Sequence, residues 1–450
     1  MAIICPDGGA IALFSSVRAV FAQQNKRLTD SVFDFLLKGG ALDSPSRTIG
    51  EILRIAKDNA QASADNTLKF TLLGDPSMKL ALPRYRVATT HINGVAVEGN
   101  PQDTIGALEK VTVRGLVTDD NGNVLEQFNG RIFPTVYDKE TVVSTLGQDE
   151  SSSPVEFRVQ KSIIFKGAAT VRNGAFEFTF VVPQDIDYDF GQGRISYYAE
   201  DGQETDARGY FEDLIVGGSA ENPVSDGAGP LVEVFINDEN FVSGGLTNDN
   251  PALFVRLSDD NGINVAGTSV GHDLTAILDG NTQAPYILND FYEAEQDDFT
   301  KGRVRFPIFD LAEGRHQVEV TAWDVANNFS TGSTEFVVAN TEDVALDHVL
   351  NYPNPFTTST NFQFEHNLSG LDLEVQVQIF TVSGRLVKTI VQRSFAQGNR
   401  VTDVHWDGTD DFGDQLAKGV YVYRVKLRAP ELLDSDLKAE SDFERLVILR

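Results

Sequence analysis

Apolar positions change their period along the chain. Leu28, Val32, Phe35 and Leu36 fall at i, i+4, i+7 and i+8, one face of a helix. Thr48 and Glu51 have capping-box spacing, and Ile49, Ile52, Leu53 and Ala56 follow at i, i+3, i+4 and i+7, a second amphipathic helix. Ahead of both, Gly8-Gly9 leads into Ala10–Phe14, a nearly continuous apolar run that reads as a strand buried on both faces. Gly74-Asp75-Pro76 is a turn signal, and Met78–Leu82 reads as one more short apolar strand. Residues 1–84 are therefore mixed α and β.

From Tyr85 onward the helical period gives way to alternation. Val111–Val117 reads as a strand, and Asp119-Asp120-Asn121-Gly122 as a hairpin turn. Phe176, Phe178, Phe180 and Val182 alternate with their neighbours and define one apolar face. Residues 85–228 read as a β-sandwich, closed by a small-residue linker from Gly217-Gly218-Ser219 to Gly229-Pro230. Val232, Val234 and Ile236 alternate next, then Val318, Val320 and Ala322, with Trp323 on the opposite face. Short strands between turn signals predict an immunoglobulin-like sandwich over 229–340. In residues 341–450, Tyr352–Phe356 is an extended lead-in, and Leu373, Val375, Val377 and Ile379 share a face. Ser383-Gly384 turns into a strand over Arg385–Ile390; Val420–Val425 is a late central strand and Leu446–Leu449 a terminal one. The fold class is mainly β, with tandem immunoglobulin-like β-sandwiches behind an α/β front.

Charge narrows the partners. Lys and Arg number 37 against 66 Asp and Glu, a net charge of −29. A phosphate-backbone partner needs a basic face, so nucleic acid is excluded. The longest charge-free run, His348–Phe364, is rich in Asn, Thr and Pro, so no transmembrane helix is predicted. Met1–Phe14 lacks the positive region of a secretory signal, and Asp7 interrupts its apolar stretch. That start reads as the middle of a domain, and the chain as truncated at its front.

The chemistry-bearing candidates all have plainer readings. Cys5 is the single cysteine, so no intramolecular disulfide or cysteine-rich metal site exists. It precedes Pro6, and the first histidine is His91 in the all-β region, so Cys5 reads as a buried structural thiol without a base. His272-Asp273 reads as a polar pair at a turn or strand edge. Asp407–Asp414 lacks the ordered ligands of a calcium loop and reads as an acidic connection. Asp119–Gly122 and Asp259–Gly262 read as hairpin turns, the Phe176–Phe180 strand as core, and Glu431–Glu444 as a solvated hairpin. No catalytic, cofactor-binding or metal-binding residue is assigned, and no cofactor.

Two ordered sets of residues resemble known families. Tyr352-Pro353-Asn354-Pro355-Phe356, then Val377–Val387, Trp406-Asp407-Gly408 and Lys418–Tyr423 closely resemble the C-terminal sorting domain of type IX secretion substrates. Gly8–Arg18, Thr48-Ile49-Gly50-Glu51 and Phe70–Pro76 resemble the C-terminal end of a gingipain-type cysteine peptidase domain. The order of parts is similar to that of the type IX sortases. The resemblance implies a caspase-like α/β remnant over 1–84, whose catalytic His and Cys would lie ahead of Met1. It further implies a cell-surface cysteine endopeptidase and transpeptidase that removes sorting domains from exported cargo. Its partners would be the type IX translocon, an outer-membrane anchoring protein and cargo proteins carrying sorting domains. Its location would be the outer membrane of a Gram-negative bacterium. A secreted adhesin and a calcium-dependent carbohydrate-binding protein, either displayed through the sorting domain, are the alternatives.

Overall fold

The computed structural model describes residues 10–37, 48–59, 64–98, 103–148, 152–203, 205–225, 227–266, 271–339, 344–430 and 438–449. Helices Ala22–Leu37 and Ile49–Asn59 form as the sequence predicts. The Thr48 hydroxyl accepts from the Glu51 amide at 3.2 Å, capping the second helix. Leu28, Val32, Ile52, Leu53 and Ala56 join in one small buried cluster.

The front strand departs from expectation. Strand Leu13–Ser16 pairs antiparallel with Phe70–Leu73. Phe14, Phe70 and Leu72 pack on the helix cluster, while Leu13 is 37% and Leu73 47% exposed. The ribbon is thus covered on one side only, and Ala10–Phe14 is not a strand buried on both faces. Met78–Leu82 forms no strand either. Outside any sheet, its Met78 carbonyl accepts from the Ile49 amide at the helix start.

The next strands lie on one continuous hydrogen-bonded path. It runs Tyr85–Ile92, Lys110–Thr118, Ala175–Val181, Ala169–Arg172, Gly130–Tyr137, Gly191–Glu200 and Asp206–Ser219. The path closes through a short parallel pairing of Ala207 with Tyr85 and Arg208 with Arg86. The layers of this sandwich are therefore joined at their edges into a flattened barrel. Phe176, Phe178, Phe180 and Val182 all face its core, as their alternation requires. Gly217-Gly218-Ser219 are not linker: they end the strand Asp206–Ser219, where Ser219 pairs with Ala107. The glycines are needed there because the Phe190 ring lies against them, with φ +154° and +69°.

A four-stranded sheet (Leu231–Ile236, Ala252–Ser258, Asp298–Pro307, Tyr292–Glu295) then faces a five-stranded one built around Gly314–Trp323 and Phe329–Val338. Val318, Val320 and Ala322 are fully buried between them with Leu253, Val255 and Val304. In the last unit, Leu346–Tyr352, Thr360–His366 and Arg400–Trp406 make one sheet. Leu386–Phe395, Asp372–Thr381 and Gly419–Arg428 lead the other, and Lys438–Glu440 and Glu444–Ile448 both pair with Gly419–Arg428. Within Glu431–Glu444, residues 431–437 lie outside the described residues. The described part is two separate strands on a common neighbour, not a hairpin closed on itself.

Candidate functional site

The terminal unit gathers its sequence motifs into one core. The Phe356 ring meets Trp406 edge-on at 5.5 Å, and Phe362 lies 4.7 Å from Tyr423. Phe356, Trp406, Tyr423, Leu446 and Ile448 belong to a single buried cluster. The terminal strand is gripped from two sides. Gly419–Tyr423 pairs with it along Glu444–Ile448. On the other side, the Phe356 amide donates to the Val447 carbonyl at 3.0 Å and the Leu449 amide to the Phe356 carbonyl at 2.9 Å. Asn354 completes the grip, its amide donating to the Arg445 carbonyl and its oxygen accepting from the Val447 amide. The conspicuous motif residues therefore hold the unit together.

The acidic loops are occupied by their own backbone. Asp407 accepts from the Thr409 amide and hydroxyl at 3.0 and 2.7 Å, and Asp410 from the Phe412 and Asp414 amides at 2.9 Å. The Thr409 bonds hold the Asp407 carboxyl below its usual range. Asp119 binds Asn123 and Asn121 in the same way, and its acidity rises for that reason. Asp259 accepts from the Asn261 and Gly262 amides. Among the described residues, no group of three metal-ligating side chains converges.

Cys5 lies outside the described residues. His272 lies among them, but its partner is not Asp273. Its Nδ1 is 2.9 Å from the carboxylate of Asp185, a barrel residue. Asp185 is 9% exposed at its side chain and also accepts from Asn264 at 2.8 Å and Asn327 at 2.6 Å. The adjoining Gln184 amide donates to the Val325 carbonyl at 2.8 Å. Elsewhere along this junction, Asp297 accepts from the Thr170 amide at 2.6 Å, and Phe165 packs against both neighbouring cores. The His272 ring rests 4.2 Å from Trp323. The arrangement is a clasp between barrel and following sandwich. It has no nucleophile and does not amount to a catalytic pair. Nothing in the local pattern around Asp185 marks it, because all of its named partners come from the next unit.

Two further histidines are shifted in opposite directions. His316 Nδ1 faces Asp279 and Nε2 faces the Ala312 carbonyl, both at 2.7 Å. Burial opposes charge there, but the Ala312 and Asp279 acceptors outweigh it and raise the pKa. His366 is fully buried in the terminal unit, and burial lowers its pKa to about 4. Its Nδ1 accepts from the Leu368 amide at 3.1 Å, which leaves the proton on Nε2.

Two family models match parts of the chain. Residues 1–81 match the model of peptidase family C25, and residues 351–430 that of the FlgD Ig-like domain. A search of curated proteins finds no match. Among solved structures, the chain is similar to dimeric latent PorU from Porphyromonas gingivalis, at 31% identity. That match covers 97% of this chain and 41% of the PorU chain, with a TM-score of 0.39. The likeness rests on the sequence identity over nearly the whole chain, not on the superposition. A tetra-tandem repeat of a large adhesion protein (13% identity, covering 77% of this chain and 73% of that one, TM-score 0.18) carries no argument. Among the described residues no helix is long and apolar enough to cross a membrane. With a C25 match at its front, an Ig-like match near its end and this similarity across 97% of its length, the chain is PorU-like.

Proposed function

We propose that this chain is the C-terminal part of a cell-surface cysteine endopeptidase and transpeptidase, a type IX secretion sortase. The observation that carries the proposal is the order of matches, C25 peptidase in front and Ig-like unit behind, in a chain 31% identical to PorU over 97% of its length. Such an enzyme cleaves the sorting domain from exported cargo through a cysteine thioester. The catalytic Cys–His pair lies in the portion that this chain does not span. Residues 1–84, 85–228, 229–340 and 341–450 act respectively as peptidase remnant, two β-sandwich domains and sorting domain. The last of these docks the protein on the translocon and on an outer-membrane anchoring protein, at the surface of a Gram-negative cell.

The test is a fusion of residues 341–450 behind a signal peptide and a reporter in a type IX-competent cell. The reporter is expected at the cell surface, and deletion of Leu446–Arg450 is expected to trap it. A reporter that stays in the periplasm with the intact segment overturns the sorting role. Purified chain is expected to leave a sorting-domain substrate uncleaved, with or without Cys5→Ala. Thiol-dependent cleavage abolished by that substitution would make Cys5 the nucleophile.

A further inference from the structure

The barrel's outward face carries a feature that neither the clasp nor the terminal unit uses. On strands Gly130–Tyr137, Gly191–Glu200 and Asp206–Ser219, the inward positions Ile132, Val136, Ile195, Tyr197 and Ala199 are buried. The alternate positions face out. Register sets Phe133 opposite Tyr198, and Tyr198 opposite Arg208. In the next row Thr135 stands opposite Ser196, and Ser196 opposite Tyr210. Tyr198 and Tyr210 are thus diagonal neighbours on one face, roughly 7–8 Å apart. They are 40% and 69% exposed.

Cross-strand packing accounts for the Phe133–Tyr198 stack, whose centroids are 6.2 Å apart. It does not account for Tyr210, whose opposite residue is Ser196. Polar planes border these rings. The Arg131 guanidinium sits 5.4 Å over Phe133 and pairs with Glu200. Asp206 lies in the same row as Glu200. A pyranose presents apolar C–H faces and a rim of hydroxyls. Aromatic rings match the first, and guanidinium and carboxylate groups the second.

Charge selects among the occupants. Arg131, Arg208, Arg86 and Lys166 stand in these rows near Glu200, Asp206 and the Asp120 that pairs with Arg86, a face close to balance, whereas the whole chain carries −29. An acidic polymer meets long-range repulsion and little local excess of cations to offset it. Ser196 and Arg208 occupy the two corners between the diagonal rings, so the face lacks the continuous apolar centre of a protein interface.

We propose that this face binds a neutral polysaccharide, with Tyr198 and Tyr210 stacking on sugar rings and the Arg131–Glu200 pair hydrogen-bonding their hydroxyls. The site needs no metal and does not depend on the peptidase reading.

The test is native electrophoresis of the full chain in gels containing soluble mannan, galactomannan or mixed-linkage β-glucan, with alginate as the acidic arm. Retardation is expected in at least one neutral gel. Tyr210→Ala and Tyr198→Ala should each weaken it about tenfold, a loss of roughly 1.4 kcal/mol. Phe412→Ala, at a 93% exposed ring in the terminal unit, should not. Thermal melts of the variants separate loss of binding from loss of fold, and Tyr210 is exposed enough for its truncation to leave the barrel intact. No retardation in any neutral gel, retardation by alginate alone, or retardation that both folded Tyr variants preserve overturns the proposal.

Discussion

His316 and His366 respond to pH with opposite sign. His316 is held between Asp279 and the Ala312 carbonyl, and its pKa is raised. The native state then binds its proton more tightly than the unfolded chain does. The resulting stability is present in full below the unfolded pKa near 6.5 and is lost as pH rises through the raised value. His316→Gln should therefore cost more at pH 5.5 than at pH 9, as read by urea titration at the two pH values. An equal cost at both would mean that the ring is neutral. His366 is the reverse. Its folded pKa of about 4 means that the unfolded chain takes the proton first as pH falls. Stability is complete above about 6.5 and drains away towards 4, by an amount on the order of 3 kcal/mol. His366→Asn keeps an acceptor for the Leu368 amide and should flatten the acid limb of the stability curve between those limits. A variant that loses stability in acid as steeply as the parent would contradict this assignment. Neither shift is legible in the sequence, where both residues are simply histidines on β-strands.

At the scale of elements, alternation proves a reliable guide where one face is buried. The runs at Phe176–Val182, Val318–Ala322 and Leu373–Ile379 each put their apolar members inside. A continuous apolar run misleads at Ala10–Phe14, because such a run does not say how many faces have a covering partner. The observed ribbon has helices on one side only. Small-residue composition misleads at Gly217–Ser219, where the glycines serve close packing against Phe190 within a strand. The terminal strand is the most consequential element. Leu446 and Ile448 are fully buried, and the strand is bonded on both edges. Ile448→Ala should cost about 2–5 kcal/mol, the range for truncating a buried aliphatic side chain. Leu449→Ala, at a 53% exposed position, should cost under about 0.5 kcal/mol. Thermal melting of the two variants side by side checks the contrast, and similar losses would show that the strand is not seated as described.

At the scale of the molecule, one carboxylate gathers three donors at the junction of barrel and sandwich. Asp185 accepts from Asn264, Asn327 and His272. Asp185→Ala leaves these donors without that acceptor, at a cost of about 1–3 kcal/mol for a buried polar group. Hydrogen exchange should quicken at residues 264–266 and 325–328 and stay unchanged in the Phe176–Val182 strand. Uniform acceleration would instead mean that the barrel itself had been destabilised. The Gln184–Val325 backbone bond and the Asp297–Thr170 contact remain, so the units should stay associated.

The sequence by itself determined the local periods, and with them the two amphipathic helix faces at Leu28–Leu36 and Ile49–Ala56, the β character from Tyr85 onward and the motif residues of the terminal core. Those follow from backbone geometry, which repeats every 3.6 or 2 residues whatever the chain does elsewhere. It also carried the family resemblance, through the order of motifs at both ends. Only the tertiary structure decided that His272 turns from Asp273 to Asp185, 87 residues away, and that Asn327 reaches the same carboxylate from 142 residues. It alone placed Tyr198 and Tyr210 on an open face while Tyr197 is buried beside them. Pairing across such separations depends on strand register and unit docking. Every buried donor and acceptor competes there for a partner, and no short window of sequence contains the terms of that competition.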